Sequence, residues 1–125
     1  MKDVRYPWII LVPRKPGLIE ISDLSRQDRI ALSDETEIAA RAIRELYNPF
    51  KLNIGTLGNI VTQLHIHILG RTECDPAWPG PVWGHSPAEA YTPETLDMRV
   101  QEVRDAISVS IPHPSDLGLQ SDQKQ

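Results

Sequence analysis

The chain has 125 residues, a formal net charge of −4 and 13 lysines and arginines. This length fits one domain with one hydrophobic core, and the scattered basic residues give no electrostatic footprint for nucleic acid. The single cysteine cannot form an internal disulfide, no signal peptide is recognisable, and the longest apolar run, Trp8 to Val12, is too short to cross a bilayer. We therefore expect a cytoplasmic protein that binds neither nucleic acid nor a membrane.

The first elements are predicted to be a strand and a helix. The segment RYPWIILVP (5–13) is rich in β-branched and aromatic residues, which predicts a strand buried on both faces. Ser25 and Asp28 form a capping-box pattern, and Asn48-Pro49 is a helix-ending pair, so a helix of about five turns is expected between them. Its apolar residues recur at helical spacing: Leu32, Ala39, Ile43 and Leu46.

The second half of the chain predicts a hairpin and another helix. Two strands, 51–54 and 60–69, flank a glycine-bearing loop (55–59), which is typical of an antiparallel hairpin. A loop rich in proline and tryptophan (75–84) follows, and Thr92-Pro93 predicts the start of a helix. The apolar face of that helix is expected at Leu96, Val100, Val103 and Ile107. The sequence thus predicts one α+β domain, 1–111, with an antiparallel sheet, two helices and a disordered tail, 112–125.

The segment TQLHIHILGR (62–71) puts two histidines into an apolar strand. Side chains alternate along a strand, so Gln63, His65 and His67 share one face, and the two imidazoles lie about 7 Å apart along the backbone. Three interpretations follow: solvent-facing polar residues, a Zn²⁺ site with an unidentified third ligand, or covalent chemistry, because neutral imidazole is a nucleophile near neutral pH. The pattern alone leaves all three open.

The segment QLHIHIL (63–69) resembles the histidine triad motif, His-φ-His-φ-His-φ-φ, with glutamine in place of the first histidine. The resemblance covers residues 5 to about 84 and includes VPR (12–14), Asn53 and Gly58. The segments RYPW (5–8) and DPAWPGPVWG (75–84) are similar to a bacterial branch of the family that resembles diadenosine tetraphosphate hydrolases. The resemblance implies a homodimeric α+β domain that binds nucleotides or dinucleotides and hydrolyses them without a protein-bound cofactor, Mg²⁺ entering only on the substrate.

The resemblance also implies a role for each motif residue. His65 would attack the α-phosphate to form a nucleotidyl-histidine, which water hydrolyses to a nucleoside monophosphate, and His67 would donate to a phosphate oxygen. Gln63 would hydrogen bond to the phosphate or leaving group without titrating. Asn53, Gly58 and Trp78 would also bind substrate.

The sequence departs from the family pattern at several positions. Gln63 cannot supply a titrating acid, Ile60 stands where many members carry a phosphate-binding hydroxyl, and Trp8 stands where many carry a further histidine. The family's first strand or hairpin has no counterpart in the sequence, and a truncated N-terminus is one hypothesis that accounts for this. Two alternatives to a metal-independent hydrolase or transferase therefore stay open: a nucleotide-binding or scaffold protein with little turnover, and a metal-dependent hydrolase that uses the His-x-His pair.

Overall fold

The computed structural model describes residues 1–111 and consists of a three-stranded antiparallel sheet with two helices. The strand order is β1-β3-β2, so β3 lies in the centre. The elements in chain order are β1 (Trp8–Leu11), a 3-10 turn (Ile21–Asp23), α1 (Arg26–Tyr47), β2 (Lys51–Gly55), β3 (Ile66–Arg71) and α2 (Pro93–Ser110). This arrangement confirms the predicted α+β class, the antiparallel pairing of the hairpin strands and both helices.

The ends of α1 are set by local side-chain chemistry. Ser25 is the N-cap, and its hydroxyl oxygen accepts a hydrogen bond from the Asp28 N–H at 3.1 Å. The last turn closes at Asn48, which adopts a left-handed conformation with a φ of 41°, and Pro49 prevents continuation. At 22 residues, α1 is about one turn longer than the sequence pattern indicated.

One face of β3 packs against α1 and forms the main core. Ile66 and Ile68 contact the buried α1 residues Leu32, Ala39 and Ile43. Gly70, on the same face, permits this close approach: a Cβ atom added there would lie 3.0 Å from Cγ2 of Ile43. The predicted assignment of Ile66 and Ile68 to the core face is confirmed.

The opposite face of β3 is also covered, by the loop rich in proline and tryptophan. A second buried cluster, Tyr6, Leu69, Ala77 and Val82, lies there, with Trp8 and Trp83 packed against it. Every residue of β3 is consequently buried. His67 projects into this second layer and is buried, whereas Gln63 and His65, which precede the strand, are partly exposed.

Strand β3 begins at Ile66, so the predicted start at Ile60 is wrong. Its partners end there: the last pair with β1 is Leu11 with Ile66, and the last pair with β2 is Gly55 with His67. Val12 and Pro13 follow β1, and proline has no N–H to extend a ladder. The predicted strand over 5–13 is likewise shortened to four residues, which are half-buried rather than buried on both faces.

Helix α2 packs on α1 with a face slightly different from the predicted one. Leu96, Val103 and Ile107 are partly buried, but Val100 is 40% exposed. Arg99 takes its place, with its guanidinium carbon 4.6 Å from the ring centroid of Tyr47. A guanidinium can stack on an aromatic ring, and a pattern of apolar residues alone does not predict such a contact.

The predicted tail, 112–125, lies outside the described residues. Within residues 1–111, neither helix combines the length and the apolar character that a membrane crossing requires.

Candidate functional site

His67 occupies the middle of the sheet. Its backbone lies between Ile10 of β1 and Gly55 of β2, and its side chain is 7% exposed. Its ring packs against two indoles that also contact each other: the centroids lie 5.5 Å from Trp8 and 5.7 Å from Trp83, and the two indoles are 6.1 Å apart. Burial lowers the pKa of His67, and the neighbouring His65 and the amino terminus lower it further. The ring is therefore held in its neutral form at neutral pH.

His65 lies one residue before the strand and stands next to His67. The two ring centroids are 4.9 Å apart, and the rings meet edge to face. Nδ1 of His65 lies 2.7 Å from the backbone carbonyl oxygen of Gln63. A carbonyl oxygen only accepts, so in this bond Nδ1 carries the proton and Nε2 of the neutral ring keeps its lone pair.

The Gln63 side chain ties the approach to β3 to the segment after β1. Its amide nitrogen donates to the carbonyl oxygen of Lys15 at 3.2 Å. The Leu64 N–H also donates a hydrogen bond to this segment, to the carbonyl oxygen of Leu18 at 2.8 Å. These two bonds hold the segment that carries His65 where no ladder partner is present.

Two other predicted substrate-binding residues, Asn53 and Trp78, both contact the buried Arg71. The guanidinium of Arg71, 1% exposed, donates from Nη1 to Oδ1 of Asn53 at 2.6 Å. Its central carbon lies 5.7 Å from the ring centroid of Trp78, and the Trp78 ring also meets Phe50 edge to face. The structure therefore connects these two residues to Arg71, whereas Gly58 lies in the connection that leads to His65, with a φ of 69° that favours glycine.

Arg71 and Asp75 form a buried ion pair that fixes the covering loop. Two nitrogens of Arg71 donate to the two carboxylate oxygens of Asp75, at 2.7 and 2.9 Å, and a further bond reaches the carbonyl oxygen of Gly80 at 2.9 Å. Burial raises the pKa of Asp75, but hydrogen bonds from Arg71 and from the N–H groups of Thr72 and Ala77 outweigh it, so the net pKa is lowered. The ionised pair thereby anchors the loop that brings Trp83 to His67.

Trp8 and Trp83 are the residues beside the histidines that sequence reasoning did not assign to the site. The sequence indicates Trp8 only as a departure from the family pattern, and the resemblance implies a substrate contact for Trp78 but not for Trp83. The Trp83 ring extends over Gly55, where an added Cβ would lie 3.8 Å from its Cη2 atom. The signal that separates the two tryptophans is the buried Arg71 anchor, which becomes visible only in three dimensions.

A second ion pair ties the amino-terminal segment to the region after the loop. Arg5 donates from Nε and Nη2 to Asp3, at 2.9 and 2.7 Å, and also reaches Oγ of Ser86 and the carbonyl oxygen of Pro87. The hydrogen bond from Arg5 lowers the pKa of Asp3 more than burial raises it. Asp3 is thus engaged in holding two chain segments together.

A metal site at the His-x-His pair would need at least one further donor side chain close by. Within residues 1–111, no three His, Cys, Asp or Glu side chains come together in a group that could hold a metal ion. Coordination by His65 and His67 would need a further ligand from another molecule or from residues beyond this range.

Comparisons with known proteins agree with the fold. A family model described as the HIT domain matches residues 1–74. A histidine triad protein from Sinorhizobium meliloti 1021 is 40% identical, with a TM-score of 0.82 over 85% of this chain and 78% of that one. A comparison with curated proteins gave no significant match.

Two further solved structures have the same overall fold. A histidine triad protein from Bradyrhizobium japonicum is 41% identical, with a TM-score of 0.82 over 86% of this chain and 80% of that one. A histidine triad protein from Marinobacter aquaeolei VT8 is 38% identical, with a TM-score of 0.84 over 87% of this chain and 80% of that one.

Proposed function

Because this chain belongs to the histidine triad (HIT) family, we propose that it is a nucleotide hydrolase or nucleotidyl transferase that acts at the α-phosphate through His65. The observation that carries the proposal is the bond from Nδ1 of His65 to the Gln63 carbonyl oxygen, 2.7 Å. It leaves a lone pair on Nε2, which is what a neutral imidazole nucleophile requires.

The proposed reaction has two displacements at phosphorus. In the first, Nε2 of His65 forms a bond to the α-phosphorus, and the bond to the leaving group breaks with its electron pair. In the second, a water oxygen attacks the same phosphorus, the N–P bond breaks, and Nε2 recovers its lone pair while the water proton passes to solvent. Gln63 cannot titrate, so the leaving group takes its proton from solvent in this scheme, which favours substrates with stable leaving groups.

His67 is proposed to stabilise the negative charge on the α-phosphate. It is neutral and next to His65, and a neutral imidazole with its proton on Nε2 can donate to a non-bridging oxygen. Gln63 and Gly58 are proposed to contact the phosphate or the leaving group from the segment before β3. For Asn53 and Trp78, the contacts with Arg71 favour support of the site in addition to any substrate contact.

The proposed substrates are dinucleoside polyphosphates, as in the diadenosine tetraphosphate hydrolases that the sequence resembles, and nucleoside phosphoramidates. A turnover screen of both classes on the purified chain distinguishes them. The proposal places this activity in the cytoplasm and assigns Mg²⁺ only to the polyphosphate substrate.

A covalent intermediate is the direct test of this mechanism. Rapid quench with an α-labelled adenosine substrate should trap the label on His65 in an acid-labile, base-stable phosphoramidate. His65→Ala should abolish the label, whereas His67→Ala should still label, more slowly by roughly 10²-fold to 10³-fold. The matched control is His85→Ala, a histidine exposed in a loop, which should label like the wild type. Label that persists in His65→Ala would refute the mechanism.

A nucleotide-binding protein with little turnover is the second candidate, and Ile60 favours it. This residue stands where many family members have a phosphate-binding hydroxyl, and its side chain is 96% exposed. Nucleotide binding by calorimetry with no label trapped and no product formed would support this alternative. Two results together would instead support a metal-dependent hydrolase. EDTA would abolish activity on a substrate that needs no Mg²⁺, and His65→Ala and His67→Ala would lose equal amounts of activity.

A homodimer is proposed through the free edge of β2 and the neighbouring surface of α1. Strand β2 is an edge strand, and half-exposed Ile54 lies beside Ile21 and Leu32 in a shallow apolar groove of about 270 Å³. Exposed strand edges and apolar surfaces are common sites of association. A monomeric mass by light scattering at micromolar concentration would contradict the dimer.

A further inference from the structure

The indole N–H of Trp8 is bonded to the ring of His67. Nε1 of Trp8 lies 3.0 Å from Nδ1 of His67. An indole nitrogen can only donate, so Nδ1 of His67 must accept, and the proton of the neutral imidazole must then sit on Nε2. The hydrogen bond therefore distinguishes the two tautomers of His67.

The bond follows from the register of the sheet. Trp8 pairs with Leu69 and Ile10 pairs with His67, so Trp8 is the diagonal neighbour of His67 on the same face. Tyr6 and Val82 are buried in the cluster against which Trp8 packs. The indole is consequently held in place by backbone pairing and by apolar packing.

We propose that Trp8 is a positioning residue that fixes the donor tautomer of His67. This inference rests on the proposed function, because the Nε2 proton of His67 is the one offered to the phosphate. The neighbouring His65 has the opposite tautomer, because the Gln63 carbonyl oxygen accepts a hydrogen bond from its Nδ1. The pair thus presents one lone pair and one N–H, both from Nε2 atoms, to the same α-phosphate.

Trp83 offers a matched control, because its ring contacts both His67 and Trp8. It lies 5.7 Å from His67 between centroids, about as close as Trp8. Its Nε1 atom has no hydrogen-bond partner among residues 1–111. Tryptophan-to-phenylalanine substitution at either position removes one indole N–H and keeps an aromatic ring, but only the Trp8 substitution removes a hydrogen bond to His67.

The test is the tautomer of His67, observed by two-bond ¹H–¹⁵N correlation of uniformly labelled protein at pH ~8, above the ordinary imidazole pKa of about 6.5. Wild-type His67 should show a protonated Nε2 and an unprotonated Nδ1, and His65 should show the reverse. Trp8→Phe should move the His67 nitrogen shifts toward a mixture of tautomers, while the His65 pattern persists and reports that the segment is still folded. Trp83→Phe should leave the His67 tautomer unchanged.

Several outcomes would overturn the inference. A protonated Nδ1 on His67 in the wild type would refute it without any variant, so the test does not depend on whether Trp8→Phe folds. An unchanged His67 tautomer in folded Trp8→Phe would also refute it. The spectra need no substrate, so an inactive protein with the expected tautomers would reject the proposed function and keep the assignment. Trapped label together with a protonated Nδ1 on His67 would support the proposed function and reject the tautomer assignment.

A kinetic measurement connects the tautomer to turnover. Trp8→Phe should lower kcat by about twofold to tenfold, the range expected when one neutral hydrogen bond is lost, with a smaller change in KM. A rise in KM alone, with kcat unchanged, would mean that Trp8 contributes to substrate binding rather than to the donor state of His67.

Discussion

Arg71→Met is the substitution with the largest expected effect on folding. The side chain is almost fully buried, and its four hydrogen bonds reach Asp75, Asn53 and Gly80. Methionine fills similar space but leaves the Asp75 carboxylate in the interior with only the N–H groups of Thr72 and Ala77 as partners. Removing one partner of a buried ion pair costs about 3–5 kcal/mol, a large part of the 5–15 kcal/mol that stabilises a typical domain.

Urea unfolding followed by tryptophan fluorescence measures this loss directly. The matched control is Arg41→Met, because Arg41 forms an exposed ion pair with Glu37 on α1, and the loss of a solvent-screened pair should hardly change the free energy of unfolding. The double variant Arg71→Met/Asp75→Asn should recover part of the stability, since no uncompensated charge remains buried. If Arg71→Met unfolded at the same urea concentration as Arg41→Met, the anchoring role of Arg71 would be refuted.

The pH dependence of this effect has a definite sign. The folded pKa of Asp75 lies below its unfolded value, so the ionised pair contributes stability above about pH 4, and that contribution is lost as the pH falls through the folded pKa. Protonation of Asp75 also relieves the buried charge in Arg71→Met. The stability difference between the wild type and this variant should therefore narrow in acid.

Three further predictions concern β3 and the segment before it. Ile66→Ala should lower the free energy of unfolding by about 2–4 kcal/mol through cavity formation, and His65→Ala should lower it by much less. The opposite order of stability in thermal melts would contradict the assignment of Ile66 to the core face. The pKa of His67 is lowered in the folded state, so the unfolded state takes up its proton first and stability falls as the pH drops below about 6.5. His67→Gln should flatten that part of the stability curve, and an unchanged slope would mean that the ring is not desolvated. Ile60→Ser should change stability by about 0.5 kcal/mol or less because the side chain is exposed, and should raise turnover by restoring the family hydroxyl; equal turnover in both proteins would show that position 60 does not reach the phosphate.

The features that sequence predicted well are those set by local chemistry. Ser25 caps a helix because its hydroxyl satisfies an N–H group within one turn, and Thr92 does the same for α2. The alternation of Ile66 and His67 follows from the geometry of any strand. The motif that resembles the histidine triad could be placed for the same reason, since its residues are contiguous.

The features that sequence did not predict depend on partners distant in the chain. The start of β3 is decided by where β1 and β2 end, which the apolar run 60–69 does not encode. Arg71 determines which of Trp78 and Trp83 lies beside the histidines. It is buried, whereas most arginines in proteins are exposed. The bond from Trp8 to His67 requires the register of two strands that are almost sixty residues apart in sequence.

The end of the ladder at Ile66 has a consequence for motion during the proposed reaction. His67 is inside the sheet, so displacing its backbone means breaking interstrand hydrogen bonds on both sides. His65 is outside the ladder, where its segment is secured by the links of Gln63 and Leu64 to Lys15 and Leu18. In the proposed mechanism, Nε2 of His65 must move toward phosphorus as the new bond forms, and this segment could follow that movement without breaking the sheet. The sheet would then hold the imidazole of His67 in place while that of His65 advances.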